Sequence, residues 1–217
     1  LIGIKEQLII HENEDTVELE IGAGENWHEL VEWTVEKGWI GLENLALIPG
    51  SVGAAPIQNI GAYGVEVEEY ITKVQYMHTE SLELCWIDRV ECDFGYRNSI
   101  FKKELKAKAI IAKVRFKLPK NAQIKADYES LRHFLMHQGI DEPSQQQIFN
   151  AVIQVRQSRL PDTQTLGSCG SFFKNPLLPT EQVDRLKTRF PDIKTYPMPD
   201  GYTKVAAGWL IDKAVGK

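Results

Sequence analysis

Residues 44–65 run for 22 positions without one charged side chain. An uncharged stretch of that length could cross a bilayer as a helix. This one holds Pro49, Pro56, Gln58, Asn59 and four glycines, and a backbone so interrupted cannot satisfy its own polar groups in lipid. The run is therefore expected to be loop, within a turn-rich connection from Gly41 to Gly64. Connections this long inside a compact domain are usually functional or disordered, and this one is too rich in Leu, Ile and Val for disorder. Its centre reads Ile48-Pro49-Gly50-Ser51-Val52-Gly53-Ala54-Ala55-Pro56-Ile57-Gln58-Asn59-Ile60-Gly61-Ala62-Tyr63-Gly64. Glycines let a backbone approach a ligand closely and offer it N–H groups. Such a loop can hold a pyrophosphate through amides while isoleucines cover a flat ring; the plainer alternative is a buried connection between strands.

Around the loop the pattern alternates between strand and helix. Val17, Leu19 and Ile21 share one face of a strand over Thr16–Ile21. Asn26, with Glu29 three residues on, opens a helix whose buried stripe is Trp27, Leu30, Val31, Thr34 and Val35, and Gly38 ends it. Val65–Met77 and Leu82–Ile87 resemble meander strands, and Lys108–Leu118 is a clearer one. Tyr128–His137 reads as a short helix. Ser144 and Gln147 open another helix, with Ile148, Val152 and Val155 inward and Pro161 closing it. Gly167–Gly170 is a turn, followed by an aromatic strand from Ser171. Thr180–Arg189 is a helix with Val183 and Leu186 inward, and a further helix starts at Ala206. These elements predict an α+β fold in two domains, 1–160 and 161–217, parted at Arg159-Leu160-Pro161-Asp162. The chain begins at Leu1 and stops inside a helical pattern at Lys217, so a fragment of a longer protein is expected.

With 43% hydrophobic and 25% charged residues, the chain can bury a core. Its net charge of −5 argues against nucleic acid or an anionic membrane as partner. Cys85, Cys92 and Cys169 form no CxxC pair, which speaks for a reducing, cytoplasmic setting and against a disulfide scaffold or zinc site. His133 and His137 have the i, i+4 spacing of metal ligands, but neither a HExxH Glu nor a third ligand accompanies them, so no metal is expected.

Two further motifs carry candidate chemistry. In Phe94-Gly95-Tyr96-Arg97-Asn98-Ser99, Arg97 follows a Gly-aromatic turn and precedes apolar Ile100-Phe101. A solvated surface arginine is the default reading; partial burial would suit the guanidinium to a carboxylate whose electron density rises during a reaction. In Gly167-Ser168-Cys169-Gly170-Ser171-Phe172-Phe173-Lys174-Asn175-Pro176 there is no GxSxG elbow, so a hydrolase nucleophile is disfavoured. A serine hydroxyl gives up a proton only to a very basic carbon, such as that of an enolate. Arg156 and Arg159 end a helix, where they either complement its C-terminus or form a local anion site.

The run IPGSVGAAPIQNIGAYG resembles the FAD-contacting loop of the UDP-N-acetylenolpyruvoylglucosamine reductases. GAGENWHELV, GLENLALIPG, FGYRNSIFK, GSFFKNP and AAGWLID resemble the same family in the same order, the type I branch in particular. The resemblance implies a FAD-binding lobe of the vanillyl-alcohol-oxidase/PCMH-type flavoprotein superfamily, followed by a smaller α+β substrate-binding lobe. It implies FAD and NADPH as cofactors, and reduction of UDP-N-acetylglucosamine enolpyruvate to UDP-N-acetylmuramate in peptidoglycan synthesis. It makes Arg97 the stabiliser of the enolate and Ser171 the proton donor to C2. Ile48, Gly50, Gly53, Ala54, Ile57, Gly61 and Arg156 match cofactor positions. Tyr63, Tyr96, Tyr128, Arg159, Lys174, Asn175 and Tyr196 match substrate positions, with Tyr196 on a mobile loop. A pyrophosphate-binding loop before Leu1 and a catalytic Glu beyond Lys217 are expected of the family, and the functional protein is expected to be a monomer. Another flavoenzyme of the superfamily, or a non-catalytic nucleotide-sugar module, are the alternatives.

Overall fold

A computed structural model describes residues 3–161, 165–167, 172–199 and 201–216. The chain divides into two compact units, Leu1–Asp162 and Thr163–Lys217.

The first unit is organised by strands β1 (Gln7–Glu12) and β2 (Thr16–Gly22), helix α1 (Trp27–Glu36), the short strands β3 (Gly61–Ala62) and β4 (Val65–Glu66), and strands β5 (Ile71–His78), β6 (Leu84–Asp88) and β7 (Ala109–Pro119). Helices α2 (Glu129–His137) and α3 (Gln145–Gln157) complete it. Five strands form one antiparallel sheet in the order β1-β2-β7-β5-β6, and β3 pairs with β4.

Period-two alternation gives this sheet two unlike faces. Val17, Leu19 and Ile21 of β2 and Val114, Phe116 and Leu118 of β7 are buried together. Trp27 of α1 packs on Phe116 and donates its indole N–H to Leu45 O at 2.9 Å. The opposite face carries a cross-strand charge ladder. Glu18 stands across from Lys117, and Glu20 across from Arg115. Glu20 accepts from Lys113 at 2.7 Å and from Arg115 at 2.8 Å, while the Arg115 guanidinium lies 4.3 Å above the Trp86 ring.

Helix starts follow the side chains available. Asn26 Oδ1 accepts from the N–H groups of His28 and Glu29 at the head of α1, and the expected stripe of that helix is the buried one. Ser144 and Gln147 form a reciprocal capping box at α3. Its inner face, Ile148, Phe149, Ala151, Val152 and Val155, closes over the core.

The long connection behaves as core rather than as surface. Gly41–Ala46 are buried, as are Val52, Ala55, Pro56, Asn59 and Ile60. Short 3-10 turns at Glu43–Leu45 and Val52–Ala54 punctuate it. Backbone bonds lace it to the turn before α1: Trp27 N to Gly50 O, Val52 N to Glu25 O and Gly53 N to Ala23 O. A Cβ added at Gly53 would fall 2.6 Å from that of Ala23, so only glycine permits this approach.

Two expectations need correction, and one strand went unpredicted. Val65–Met77 is not one strand. Glu66 and Glu69 form a capping box that turns the chain into a 3-10 helix at Val67–Glu69 before β5 begins. β1 escaped the periodicity reading because all six of its residues are exposed and its apolar residues Leu8, Ile9 and Ile10 are consecutive. The aromatic strand expected from Ser171 is not found at residues 172–176; Ser171 itself lies outside the described residues, and the next strand starts at Leu177. Phe172 and Phe173 are exposed and meet edge-on instead of alternating.

The second unit holds β8 (Leu177–Pro179), α4 (Thr180–Arg189), β9 (Thr195–Pro197), β10 (Tyr202–Val205) and α5 (Ala207–Val215). Its antiparallel sheet runs β8-β10-β9. Val183, Ile193 and Val205 form its small core. No described helix is long and apolar enough to cross a membrane.

Candidate functional site

The glycine connection presents two clusters from its last turn. In the first, Gly95 and Asn98 exchange backbone bonds, Gly95 N to Asn98 O at 3.1 Å and Asn98 N to Gly95 O at 2.9 Å. This closes a tight turn with Tyr96 and Arg97 at its tip. Arg97 takes φ +52°, a left-handed conformation that costs a side-chain-bearing residue free energy and is ordinarily left to Gly or Asn. The strain aims the guanidinium back at the connection. Its Nη1 donates to Asn59 O at 3.3 Å and lies 3.5 Å from Glu66 Oε1, and its Nη2 donates to Gly61 O. The Arg97 guanidinium also lies 5.1 Å from the Tyr96 ring centre. The side chain is 28% exposed, so the surface reading of this arginine does not hold.

Asn59 organises that seat. It is fully buried and left-handed, with φ +46°. Its Nδ2 faces Glu66 Oε2 and Glu68 Oε1, each at 2.9 Å, and Gly95 O at 3.2 Å, and its Oδ1 accepts from Glu68 N at 3.1 Å. One amide thus joins the connection, the β4 turn and the Arg97 turn. Ser99 adds a bond from its hydroxyl to Ile57 O at 2.6 Å.

The second cluster starts two residues beyond Gly61. Tyr63, with φ +48°, sets its ring edge-on to Tyr128 at 5.4 Å. Both line a cavity of about 360 Å³ with Lys125 and Asp127 among its walls. Buried Asn44 ties the walls together, donating to Tyr63 O at 3.0 Å and Lys125 O at 2.9 Å. Burial pushes the Tyr63 hydroxyl above its ordinary value, against the positive charges of Arg156 and Arg159 and a bond from Arg156. The Arg156 Nε is buried without a partner among the described residues, and Arg159 is exposed. A buried donor without an acceptor is costly.

The structure therefore brings Gly61, Tyr63, Tyr96, Arg97, Tyr128, Arg156 and Arg159 to the two ends of one short strand. Ile48 and Ile57 are half-buried against the core, while Gly50 and Ala54 sit on the exposed rim of the connection. Three described candidates lie in the second unit. Lys174 is exposed. Asn175 is occupied locally, its Oδ1 accepting from Ala207 N at 2.8 Å at the start of α5. Tyr196 lies in β9 with Lys204 Nζ 5.6 Å from its ring centre. Ser171 and Cys169 lie outside the described residues. Among the described residues no three His, Cys, Asp or Glu side chains gather as a metal site.

Sequence reasoning missed Asn44, Asn59 and Glu66. A usable signal existed for the two asparagines: in a charge-free segment forced into the core, an amide side chain must be bonded, and so must hold something in place. Glu66 carried no such signal, being one acidic residue among several in the Glu66–Glu69 stretch.

Comparison with known proteins shows what the chain as a whole is similar to. Residues 5–81 match a family model described as FAD binding domain. The chain is 44% identical over 214 residues to the UDP-N-acetylenolpyruvoylglucosamine reductase of Chromobacterium violaceum, covering 98% of this chain and 62% of that protein. It is 45% identical over 212 residues to the protein of the same name from Burkholderia pseudomallei, covering 97% and 61%. A crystal structure of UDP-N-acetylenolpyruvylglucosamine reductase (MurB) from Thermus caldophilus superposes with a TM-score of 0.51 at 25% identity, over 86% of this chain and 60% of that one. The chain is thus similar to these reductases over nearly its whole length, and spans about three-fifths of theirs. Its fold is α+β, as expected.

Proposed function

We propose that this chain provides most of the flavin lobe, and part of the substrate lobe, of an enzyme that reduces UDP-N-acetylglucosamine enolpyruvate to UDP-N-acetylmuramate with NADPH. The observation that carries the reading is the strained Arg97, seated on the carbonyls of the glycine connection. A backbone outlier held by this many contacts fits a functional post better than a solvated arginine. Identity of 44% to named reductases across the chain supports it.

The residues present fit a flavin dinucleotide. The connection exposes small residues, Gly50 and Ala54, on its rim, and Arg156 keeps a buried unpartnered Nε–H. Ile48, Gly50, Gly53, Ala54, Ile57, Gly61 and Arg156 would hold the cofactor. FAD, when bound, would supply hydride relay between NADPH and the substrate. Arg97 then balances the negative charge that gathers on the substrate carboxylate as its C3 gains hydride. Tyr96, stacked beside it, limits its swing. Tyr63 and Tyr128 border the nucleotide-sugar cleft, where Arg159 meets the diphosphate. Lys174, Asn175 and Tyr196 would also bind substrate. Ser171 donates the proton to C2. The setting is cytoplasmic and the working form a monomer.

The test uses the full-length protein. It should purify yellow, bleach on addition of NADPH and regain colour with the enolpyruvyl sugar. A yellow protein that bleaches but ignores the sugar would mean a different substrate; a colourless one would end the flavoenzyme reading.

A further inference from the structure

The backbone of Arg97 sets where its side chain starts but not where its guanidinium ends. A turn residue with a long side chain retains several rotamers, and two backbone carbonyls supply no charge. Among the described residues one acidic side chain meets it: Glu66 Oε1 lies 3.5 Å from Nη1, both side chains being about 30% exposed, Arg97 at 28% and Glu66 at 31%. A pair so placed is screened less than one in open water. The carboxylate is itself anchored. Asn59 Nδ2 donates to its other oxygen, Oε2, at 2.9 Å, and Glu66 also caps the 3-10 turn that follows. Asn59 is fully buried and bonded on both its amide atoms, so it cannot turn without breaking the junction of three segments.

We propose that Glu66, oriented by Asn59, is a positioning residue for Arg97: it holds the guanidinium at the glycine connection and leaves its remaining donors for the substrate carboxylate. A guanidinium has five N–H donors, so the seat uses only part of its capacity. The inference rests on the proposed catalytic role of Arg97. In this role Glu66 acts through that residue.

The test is a double-mutant cycle on the full-length, flavin-loaded protein, read by stopped-flow absorbance. Glu66→Ala should slow flavin reoxidation by the enolpyruvyl sugar about tenfold, within the usual range of coupling between contacting residues. Flavin reduction by NADPH should stay within about twofold of wild type, as for a change confined to one half-reaction. In an Arg97→Ala background the same change should cost less than about twofold, because the group it positions is gone. Glu66→Gln keeps an acceptor for the cap and for Asn59 but loses the charge, so it guards against a folding defect; it should give a smaller slowing of the same half-reaction. A second readout needs no cofactor: in flavin-free protein, the Arg97 Nη protons should exchange with water about tenfold faster in Glu66→Ala, as for a group released from local structure. An equal loss in both backgrounds, no loss in wild type, or unchanged proton exchange overturns the role of Glu66. If Arg97→Ala itself reoxidises flavin at the wild-type rate, the role of Arg97 fails, which the proton-exchange result distinguishes from a failure of the Glu66 contact.

Discussion

The carbonyl oxygen of Gly61 accepts a hydrogen bond from Nη2 of Arg97, across 36 residues of sequence. The contact requires that Gly61 have no side chain. A Cβ there would lie 2.8 Å from Arg97 Nη1 and 2.9 Å from both Glu66 Cγ and Val65 O. The side-chain tips can retreat, but the Val65 carbonyl belongs to the paired strand and cannot. Gly61→Ala should therefore unseat the guanidinium while the β3–β4 pair shifts, with a stability cost of about 1–3 kcal/mol as for overpacking elsewhere. Reoxidation of reduced flavin by the substrate should fall about 10- to 100-fold, the usual result of displacing a charge-stabilising group. Retention of both rate and melting temperature would mean that the seat is not needed.

Arg97→Gly separates conformation from chemistry. Glycine takes φ +52° without penalty, recovering about 1–2 kcal/mol. The variant forfeits side-chain hydrogen bonds worth about 0.5–1.5 kcal/mol each. The two effects nearly cancel, so the melting temperature should move by no more than a few degrees, as expected for a net change of about 1 kcal/mol. The substrate half-reaction should drop by about two to three orders of magnitude. A variant that melts unchanged and turns over normally would strip Arg97 of its role.

The elements that could be located from residue patterns are those with one wet and one dry face. α1 and α3 announce themselves through Asn26 and Ser144 and a 3.6-residue stripe, and β2 and β7 through alternation. β1 offered no alternation because neither of its faces is buried. The break at Glu66 depended on a side chain turning back to cap its own backbone, a choice invisible to periodicity. For the site, Arg97 and Tyr63 could be named from motif and resemblance. The seat around them could not: Asn59 and Asn44 reach partners through tertiary contacts, 36 residues away to Gly95 and 81 residues away to Lys125.

Glu20 gives the first unit a pH signature. Burial alone would raise its carboxyl pKa. Hydrogen bonds from Lys113 and Arg115, reinforced by their charges, outweigh burial and hold it below the ordinary value of 4.5. A carboxyl lowered in the folded state contributes stability that is full above its unfolded pKa and lost as pH falls through the folded one. Wild type should therefore lose stability steeply below about pH 4.5. Glu20→Gln leaves two cations without their shared carboxylate and should cost about 1.5–3 kcal/mol at pH 7, the scale for a charged hydrogen bond. Its stability should fall less steeply in acid. Chemical denaturation between pH 3 and 7, a span of ~4 units bracketing a carboxyl titration, measures both; parallel curves for the two proteins would remove Glu20 from the acid transition.

Arg156 and Arg159 stand three residues apart on the last turn of α3 and just beyond it, and they face different surroundings. Arg156 is half-buried, its Nε unpartnered and its charge close enough to pull against the raised Tyr63 hydroxyl. Arg159 is exposed. A donor buried in waiting loses most when its acceptor goes, so Arg156→Ala should weaken flavin binding about 10- to 100-fold, equivalent to one charged hydrogen bond. Arg159→Ala should leave flavin in place. Its effect should fall on nucleotide-sugar affinity, by about fivefold or less, and should shrink as salt is added, because water and ions screen it. Removal of the Arg156 cation should also raise the Tyr63 titration further, since that charge opposes the effect of burial. Flavin release followed by fluorescence, sugar binding by calorimetry in low and high salt, and alkaline ultraviolet titration report the three effects separately. If Arg159→Ala strips the flavin while Arg156→Ala retains it, the two arginines have been assigned the wrong way round.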